Sequence, residues 1–278
     1  MIAKQLKDSI LQMAVQGKLV PQDPNDEPAS ILLEKIRAEK WRLIKEGKIK
    51  KDKQESIIFR GSDNLFYEKF NDGKIKSINN EIPFEIPQNW EWVRLENICN
   101  FGECKNVESC DIEQDEWVLD LEDIEKETGK LLVRKKKKEV DSASTKHRFM
   151  KDSVLYSKLR PYLNKVIIAD FDGYCTSEIL PLIFYEHAYN KYAQVFLMSP
   201  HFVEYAKRCS YGTKMPRLGT RDGKSALFPL PPLAEQKRIV EKIEVLMNLV
   251  GSIPNDILQK AEGWNNHEVH NQVAKVDS

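Results

Sequence analysis

Three prolines followed at once by an amphipathic run constrain this chain more than any other stretch. The run reads Leu227-Phe228-Pro229-Leu230-Pro231-Pro232-Leu233-Ala234-Glu235-Gln236-Lys237-Arg238-Ile239-Val240. Prolines at 229, 231 and 232 exclude regular helix before Leu233 and force an extended approach. Pro231 or Pro232 suits a first helical position, where a missing N–H costs nothing. Glu235 falls in the first turn, where the helix dipole favours an anion. Ile239, Ile243, Leu246 and Val250 then recur at spacings of 4, 3 and 4. That narrow seam is the a/d pattern of a coiled coil. An extended segment thus leaves a globular body and starts a helix, about 233–250, that needs a partner helix.

A second seam lies at the other end of the chain. Ala3, Leu6, Ile10 and Met13 are spaced 3, 4 and 3 and predict a helix over about 3–16, stopped by Gly17. It starts without a cap, as the tail of a longer helix would. Pro21, Pro24 and Pro28 mark a loop. A further helix opens at Pro28-Ala29-Ser30, with Leu33, Ile36, Lys40 and Leu43 along one side. Ordinary intramolecular core is the other reading of such stripes.

These two regions resemble the conserved helical regions of specificity subunits of type I restriction–modification enzymes. The resemblance rests on Pro-Leu-Pro-Pro-Leu-Ala-Glu-Gln-Lys-Arg-Ile-Val-Glu-Lys-Ile from Pro229, and on the stretch from Gln12 to Ser30. In that family a target-recognition domain alternates with conserved helices that pack together and dock modification subunits. The resemblance covers about residues 5–250 and includes a single recognition domain.

Composition sets the limits. The chain has 278 residues, 41% hydrophobic and 31% charged, enough for one or two domains with a core. Basic and acidic residues number 43 each, so any nucleic-acid contact must come from local clustering. No apolar run approaches the roughly 20 residues of a membrane span, and the N-terminus is unlike a signal peptide. Five cysteines fit a reducing cytosol better than a disulfide scaffold.

The pattern divides the chain into an N-terminal helical region (1–47), a connector (48–80), a target-recognition domain (81–228), a C-terminal helix (229–250) and a polar tail (251–278). In the connector, Asn71-Asp72-Gly73 predicts a hairpin turn. Trp90 is expected as a core anchor. Short strands are expected at 117–119, 131–133, 153–156, 165–169 and 180–184, with Asp172-Gly173 turning the fourth into 174–176. Helices are expected at 192–197 and 201–206, the second capped by Ser199 with Pro200 at its first position. The fold class is α+β: one mixed α/β target-recognition domain flanked by helices that form an antiparallel coiled coil through Leu6, Ile10, Met13, Ile239, Ile243 and Leu246. Roughly 18 helical residues span about 27 Å, a short spacer.

Three clusters carry cations suited to phosphates and forked donors suited to base edges. Arg134 to Lys138, including Lys136, is either a phosphate contact or a solvated hairpin tip. The second cluster, Lys158 to Lys165, interleaves Lys158, Arg160, Asn164 and Lys165 with Tyr162 beside a proline-fixed turn. The third, Tyr211 to Lys224, carries Thr213, Lys214, Arg217, Arg221 and Lys224 among glycines that let a phosphate approach the backbone. The second and third also resemble the body of recognition domains in the same family.

Catalysis finds little support. A DNA methyltransferase needs a glycine-rich cofactor loop and an Asn-Pro-Pro-aromatic turn; Ser199-Pro200-His201-Phe202 lacks the second proline. Asp222 with Glu235-Gln236-Lys237 matches only the bare spacing of a nuclease, and Glu235 has a structural reason to be acidic. Cys99, Cys104 and Cys110 lack paired metal-ligand spacing. The expectation is a non-catalytic reader of double-stranded DNA that binds no cofactor. The resemblance implies modification subunits with S-adenosylmethionine, a restriction subunit with ATP and Mg, and a prokaryotic cytoplasm. A second copy, or another specificity chain, would supply a missing recognition domain. A helical-hairpin adaptor without DNA binding is the competing class.

Overall fold

The computed structural model describes residues 2–50, 55–185 and 189–254. Helix α1 spans Ile2–Val15 and stops at Gly17, whose φ of +69° lets Lys18 N–H donate to the Met13 carbonyl at 2.9 Å. A Cβ there would also overlap Pro87, so this turn admits only glycine. Helix α2, Ala29–Lys45, follows the proline loop and buries Ala29, Leu32, Leu33 and Ile36. Lys40 is buried on the same face, and its ammonium donates to the Glu96 carbonyl at 3.1 Å.

The stretch expected as a connector contains a folded sheet. Strands β1 (Ser56–Arg60), β2 (Phe66–Phe70) and β3 (Ile75–Ser77) form an antiparallel sheet, turning at Gly73 between β2 and β3. Ile58 and Ile78 pack against Trp92 and Leu227. Arg94 locks this sheet to the body. Its guanidinium reaches Glu68 at 2.7 and 3.1 Å, Glu81 at 2.8 Å and the Ser225 carbonyl at 2.7 Å.

The body begins and ends on one ribbon. Strand β4 (Glu91–Arg94) pairs antiparallel with β15 (Leu227–Leu230), with Val93 opposite Phe228 and Glu91 opposite Leu230. The two larger of the sheets between them form most of the body. One has the order β5 (Lys105–Val107), β8 (Lys146–Phe149), β11 (Gly173–Thr176), β6 (Trp117–Leu119) and β7 (Lys135–Lys136), with only β11 and β6 parallel. The other has the order β10 (Val166–Ile168), β9 (Val154–Ser157) and β12 (Ile179–Leu182). Trp117, Leu119, Phe149 and Cys175 of the first share a core with Leu155, Ile167 and Ile179 of the second. The other face of the three-stranded sheet meets α3 (Asn190–Met198) and α4 (Pro200–Cys209). Ser199 caps α4 as expected, accepting from Phe202 N–H at 3.3 Å, with Pro200 in the first turn.

The first and last described helices meet. Helix α6, Leu233–Ser252, packs against α1, and Leu11, Ala14 and Val15 share one buried cluster with Ile239, Val240 and Ile243. Trp90 is the anchor foreseen: it is buried, and its indole N–H donates to Glu235 at 2.9 Å. Glu235 also accepts from Gln22 at 2.6 Å, so the loop after α1 closes onto the first turn of α6. Burial raises the Glu235 carboxyl above the usual carboxylate range.

Four expectations change. The buried face of α1 is Leu11, Ala14 and Val15, whereas Leu6 and Met13 are exposed, because α3, α4 and α6 all approach from that side. Leu246 is only partly buried. Residues 131–133 do not form a strand; Leu131 makes a single bridge with Ile124, and left-handed backbone at Glu127 and Gly129 throws Leu132 and Val133 outward. Asp172-Gly173 does not close a hairpin: β10 and β11 lie in different sheets, and Asp172 accepts from Lys151 N–H at 2.8 Å at the crossing. The tail from 255 onward lies outside the described residues. No helix among the described residues is long and apolar enough to cross a membrane.

Candidate nucleic-acid interface

The second and third basic clusters, some 50 residues apart in sequence, form one edge of the body. Strands β13 (Ser210–Tyr211) and β14 (Arg217–Leu218) pair as a hairpin around the turn that carries Thr213 and Lys214. Gly212 adopts φ +92° to make that turn. Residues 158–160 lie along the other side of β14. Leu218 N–H donates to the Lys158 carbonyl at 3.0 Å, and Arg160 N–H donates to the Pro216 carbonyl at 2.7 Å. Arg160 itself is left-handed, with φ +49°, at the start of the Pro161–Leu163 turn.

Part of the third cluster, expected as open loop, is the short helix α5 (Thr220–Ser225). It packs tightly: a Cβ on Gly223 would overlap the Phe101 ring, and the Tyr205 hydroxyl donates to the Asp222 carbonyl at 2.7 Å. Gly102, with φ +77°, lies against Thr220, and Lys224 is 3.6 Å from Glu103. Arg221 projects outward from this helix and is exposed.

The cations differ in what surrounds them. Lys158, Arg160, Lys214 and Arg221 make no side-chain ion pair or hydrogen bond among the described residues. Arg160, Lys214 and Arg221 are exposed, and Lys158 is partly so. Arg217 is clamped by Glu178, with contacts of 2.9–3.0 Å from two nitrogens. Asn164 and Lys165 are tied inward: Asn164 donates to the Met198 carbonyl at 2.9 Å and Lys165 to the Leu121 carbonyl at 2.6 Å. Burial lowers the Lys165 ammonium below its ordinary value.

Four of the five cations of the first cluster already have a carboxylate partner. Arg134 pairs with Asp170 and lies over the Phe171 ring at 3.7 Å. Lys135 contacts Glu122 and Asp123 at 2.9 and 2.6 Å, and Lys136 and Lys138 share Asp115 at 3.1 and 2.9 Å. A carboxylate beside Arg134, Lys135, Lys136 and Lys138 weakens their pull on a phosphate, while the Lys137 ammonium donates to the Val140 and Ser142 carbonyls at 3.4 and 3.3 Å.

Sequence reasoning passed over a further pair of cations, on the five-stranded sheet. Lys105 and Arg148 face each other on β5 and β8, and both are exposed. Lys105 has no basic neighbour in sequence and Arg148 follows Lys146 and His147, so the local pattern does not pair them; only the strand register brings them together. Among the described residues, no group of His, Cys, Asp and Glu could hold a metal ion. Cys99 is buried, and burial pushes its thiol up to about 12.

Comparisons with known proteins agree on one family. Residues 87–262 match the model of the type I restriction modification DNA specificity domain. The chain is 33% identical to the type I restriction enzyme EcoAI specificity subunit of Escherichia coli, over 87% of this chain and 39% of that protein. It is 30% identical to the EcoEI specificity subunit of the same organism, over 92% of this chain and 41% of the relative. The chain therefore spans about two fifths of the length of these relatives. Among solved structures, the HsdS subunit from Thermoanaerobacter tengcongensis superposes with a TM-score of 0.53 at 25% identity, over 70% of this chain and 50% of that one. A structure described as the basis of complex assembly and conformational transition of the type I R-M system gives 0.53 at 26% identity, over 69% of this chain and 50% of that one. The chain belongs to the type I restriction–modification DNA specificity family.

Proposed function

We propose that this chain is a non-catalytic DNA-recognition subunit of a type I restriction–modification system. The observation that carries the reading is the gathering of Lys158, Arg160, Lys214 and Arg221, unpaired among the described residues, on the single edge built by 158–160, the β13–β14 hairpin and α5. Unpaired cations on a rigid edge release counterions when they meet phosphates, and a body within the specificity family supplies the context. Arg217, Asn164 and Lys165 shape this edge from behind; Thr213 adds a hydroxyl at its tip.

Helices α1 and α6 then act as a short antiparallel pair that presents the body. The Gln22–Glu235 bond at one end and the shared cluster of Leu11, Val15, Ile239 and Ile243 support that reading. Leu6, Met13, Val245 and Leu249 remain 39%, 41%, 55% and 57% exposed, an apolar surface fit for helices of modification subunits or of a second specificity chain. S-adenosylmethionine belongs to the modification subunits, and ATP and Mg to the restriction subunit. The work is done in the prokaryotic cytoplasm. Co-expression with modification subunits, followed by methylome sequencing, tests the assignment. A split motif is expected; a palindromic one means that two copies of this chain pair, an asymmetric one that a different chain supplies the other half. A methylome unchanged by deleting this chain from an active complex overturns the function.

A further inference from the structure

We infer that Tyr162 and Met215 form an apolar wedge that enters the minor groove of the duplex and opens a base step, so that part of the sequence preference is read through DNA deformability. The inference rests on the DNA-binding reading above and names what that edge does to its ligand. Tyr162 and Met215 are each 44% exposed. Neither packs against a buried core cluster, and the Tyr162 hydroxyl has no hydrogen-bond partner among the described residues. Single exposed apolar side chains are ordinary on any protein. These two are set apart by how firmly their backbones are held and by the charges beside them.

Two left-handed residues bracket Tyr162. Arg160 has φ +49° and Asn164 φ +50°, a region disfavoured for residues with a Cβ, and the tight Pro161–Leu163 turn lies between them. That turn is tied down. The Asn164 amide donates to the Met198 carbonyl at 2.9 Å, Glu127 N–H donates to the Asn164 carbonyl at 3.1 Å, and Pro161 is buried. Met215 lies in the turn of the β13–β14 hairpin, which Gly212 opens at φ +92°. The Arg217 guanidinium, clamped by Glu178, donates to the Met215 carbonyl at 3.2 Å. One hydrogen bond joins the two turns, from Arg160 N–H to the Pro216 carbonyl at 2.7 Å. Met215 is one residue from that bond and Tyr162 two, so both side chains leave one fixed piece of backbone.

Arg160 and Lys214 flank the pair, exposed and without ion-pair partners among the described residues. A thioether has no donor with which to read a base edge, and a tyrosine ring has a single hydroxyl. Cations around an apolar tip are instead the pattern of minor-groove proteins, where Arg and Lys line the groove and a wedge such as Met unstacks a step, kinking the duplex by about 20–90°. An aromatic ring can then stack on the base face so uncovered. Pyrimidine–purine steps yield most easily, so the cost of the kink becomes a sequence preference where no donor touches a base.

The test uses the full chain with Tyr162→Ala, Met215→Ala, the double alanine variant, and the conservative pair Tyr162→Phe and Met215→Leu. Selection from a randomised duplex pool, with sequencing of the bound fraction, gives a preferred duplex. Energy transfer between dyes at its two ends then reads the bend. The wild type should bend it and enrich a TA, CA or TG step. Tyr162→Ala should lower affinity for the preferred duplex roughly 5- to 150-fold, the range for one lost aromatic–base stack. The double variant should leave the duplex straight and lose the step preference, whereas the conservative pair should keep both. No variant changes charge, so salt slopes on random duplex should equal that of the wild type. Thermal melts should be unchanged, since both side chains are exposed. A duplex left straight by the wild type, or a bend and step preference that survive in the double variant, overturns the wedge while leaving DNA recognition intact. So does a lost thymine preference with an unchanged bend, which marks contact with the thymine methyl in the major groove. A wild type that binds no duplex in a salt-dependent way overturns the functional reading and this inference together.

Discussion

Removing Lys158, Arg160, Lys214 and Arg221 together should flatten the salt dependence of DNA binding, whereas removing Arg217 should not. Each cation that neutralises a phosphate contributes about 0.9 to the log–log slope of affinity against salt. Four unpaired cations therefore set an upper change of roughly 3.6. Between 50 and 200 mM salt, each contact accounts for about a 3.5-fold loss of affinity, and four for about 150-fold. Arg217 is already held by Glu178 at 2.9–3.0 Å, so its charge is largely spent inside the protein. Arg217→Ala is expected to weaken binding by loosening the 158–160 and 217–218 pairing, with a slope change well below 0.9. The assay is fluorescence anisotropy of the full chain on random duplex at four or more salt concentrations. A fourfold variant with the wild-type slope removes this edge from the interface. A change for Arg217→Ala as large as that for Lys214→Ala refutes the argument that internal pairing decides which cations act.

Other perturbations test the scaffold. Glu235→Ala leaves the buried Trp90 indole without an acceptor and should cost about 1–3 kcal/mol in urea unfolding, whereas the exposed Gln22 amide can turn to water; a loss under about 1 kcal/mol contradicts the role given to this junction. Burial raises the folded-state Glu235 carboxyl, so its contribution is full in acid and is lost as pH rises through that raised value. Glu235→Gln should abolish that part of the pH dependence, which a stability–pH series reads directly. Arg94→Ala strands the buried Glu68 carboxylate and should cost about 3–5 kcal/mol, with the β1–β2–β3 sheet losing amide protection first in hydrogen exchange. Gly223→Ala drives a methyl group into Phe101 and should lower stability by about 1–3 kcal/mol, whereas Gly251→Ala, facing open space, should not.

Much of the framework was legible in sequence because its causes are local. Ser199-Pro200 and Gly17 punctuate helices through backbone geometry alone, and the structure follows them; Pro232, expected with Pro231 as a candidate for the first helical position, stands one residue earlier, as the N-cap of α6. Apolar runs at 154–157 and 179–182 became strands for the same reason. The seam on α1 was misplaced because a periodic pattern names an apolar face, not its neighbours. Leu11, Ala14 and Val15 are chosen by α3, α4 and α6, which lie far away in sequence. The strand expected at 131–133 failed because three apolar residues make a strand only where a neighbour offers its edge.

The sequence by itself determined the family, the approximate bounds of the helices other than α5 and which segments carry cations, since all three are written in short runs of residue types. Only the tertiary structure decided which of those cations remain available. Arg134 meets Asp170, Arg217 meets Glu178 and Lys136 meets Asp115 across separations that no local pattern encodes. Lys105 and Arg148 become one surface only through strand register. Electrostatic attraction falls with distance in space, not with distance along the chain, so the charges that can act on a ligand are those the fold leaves without a carboxylate.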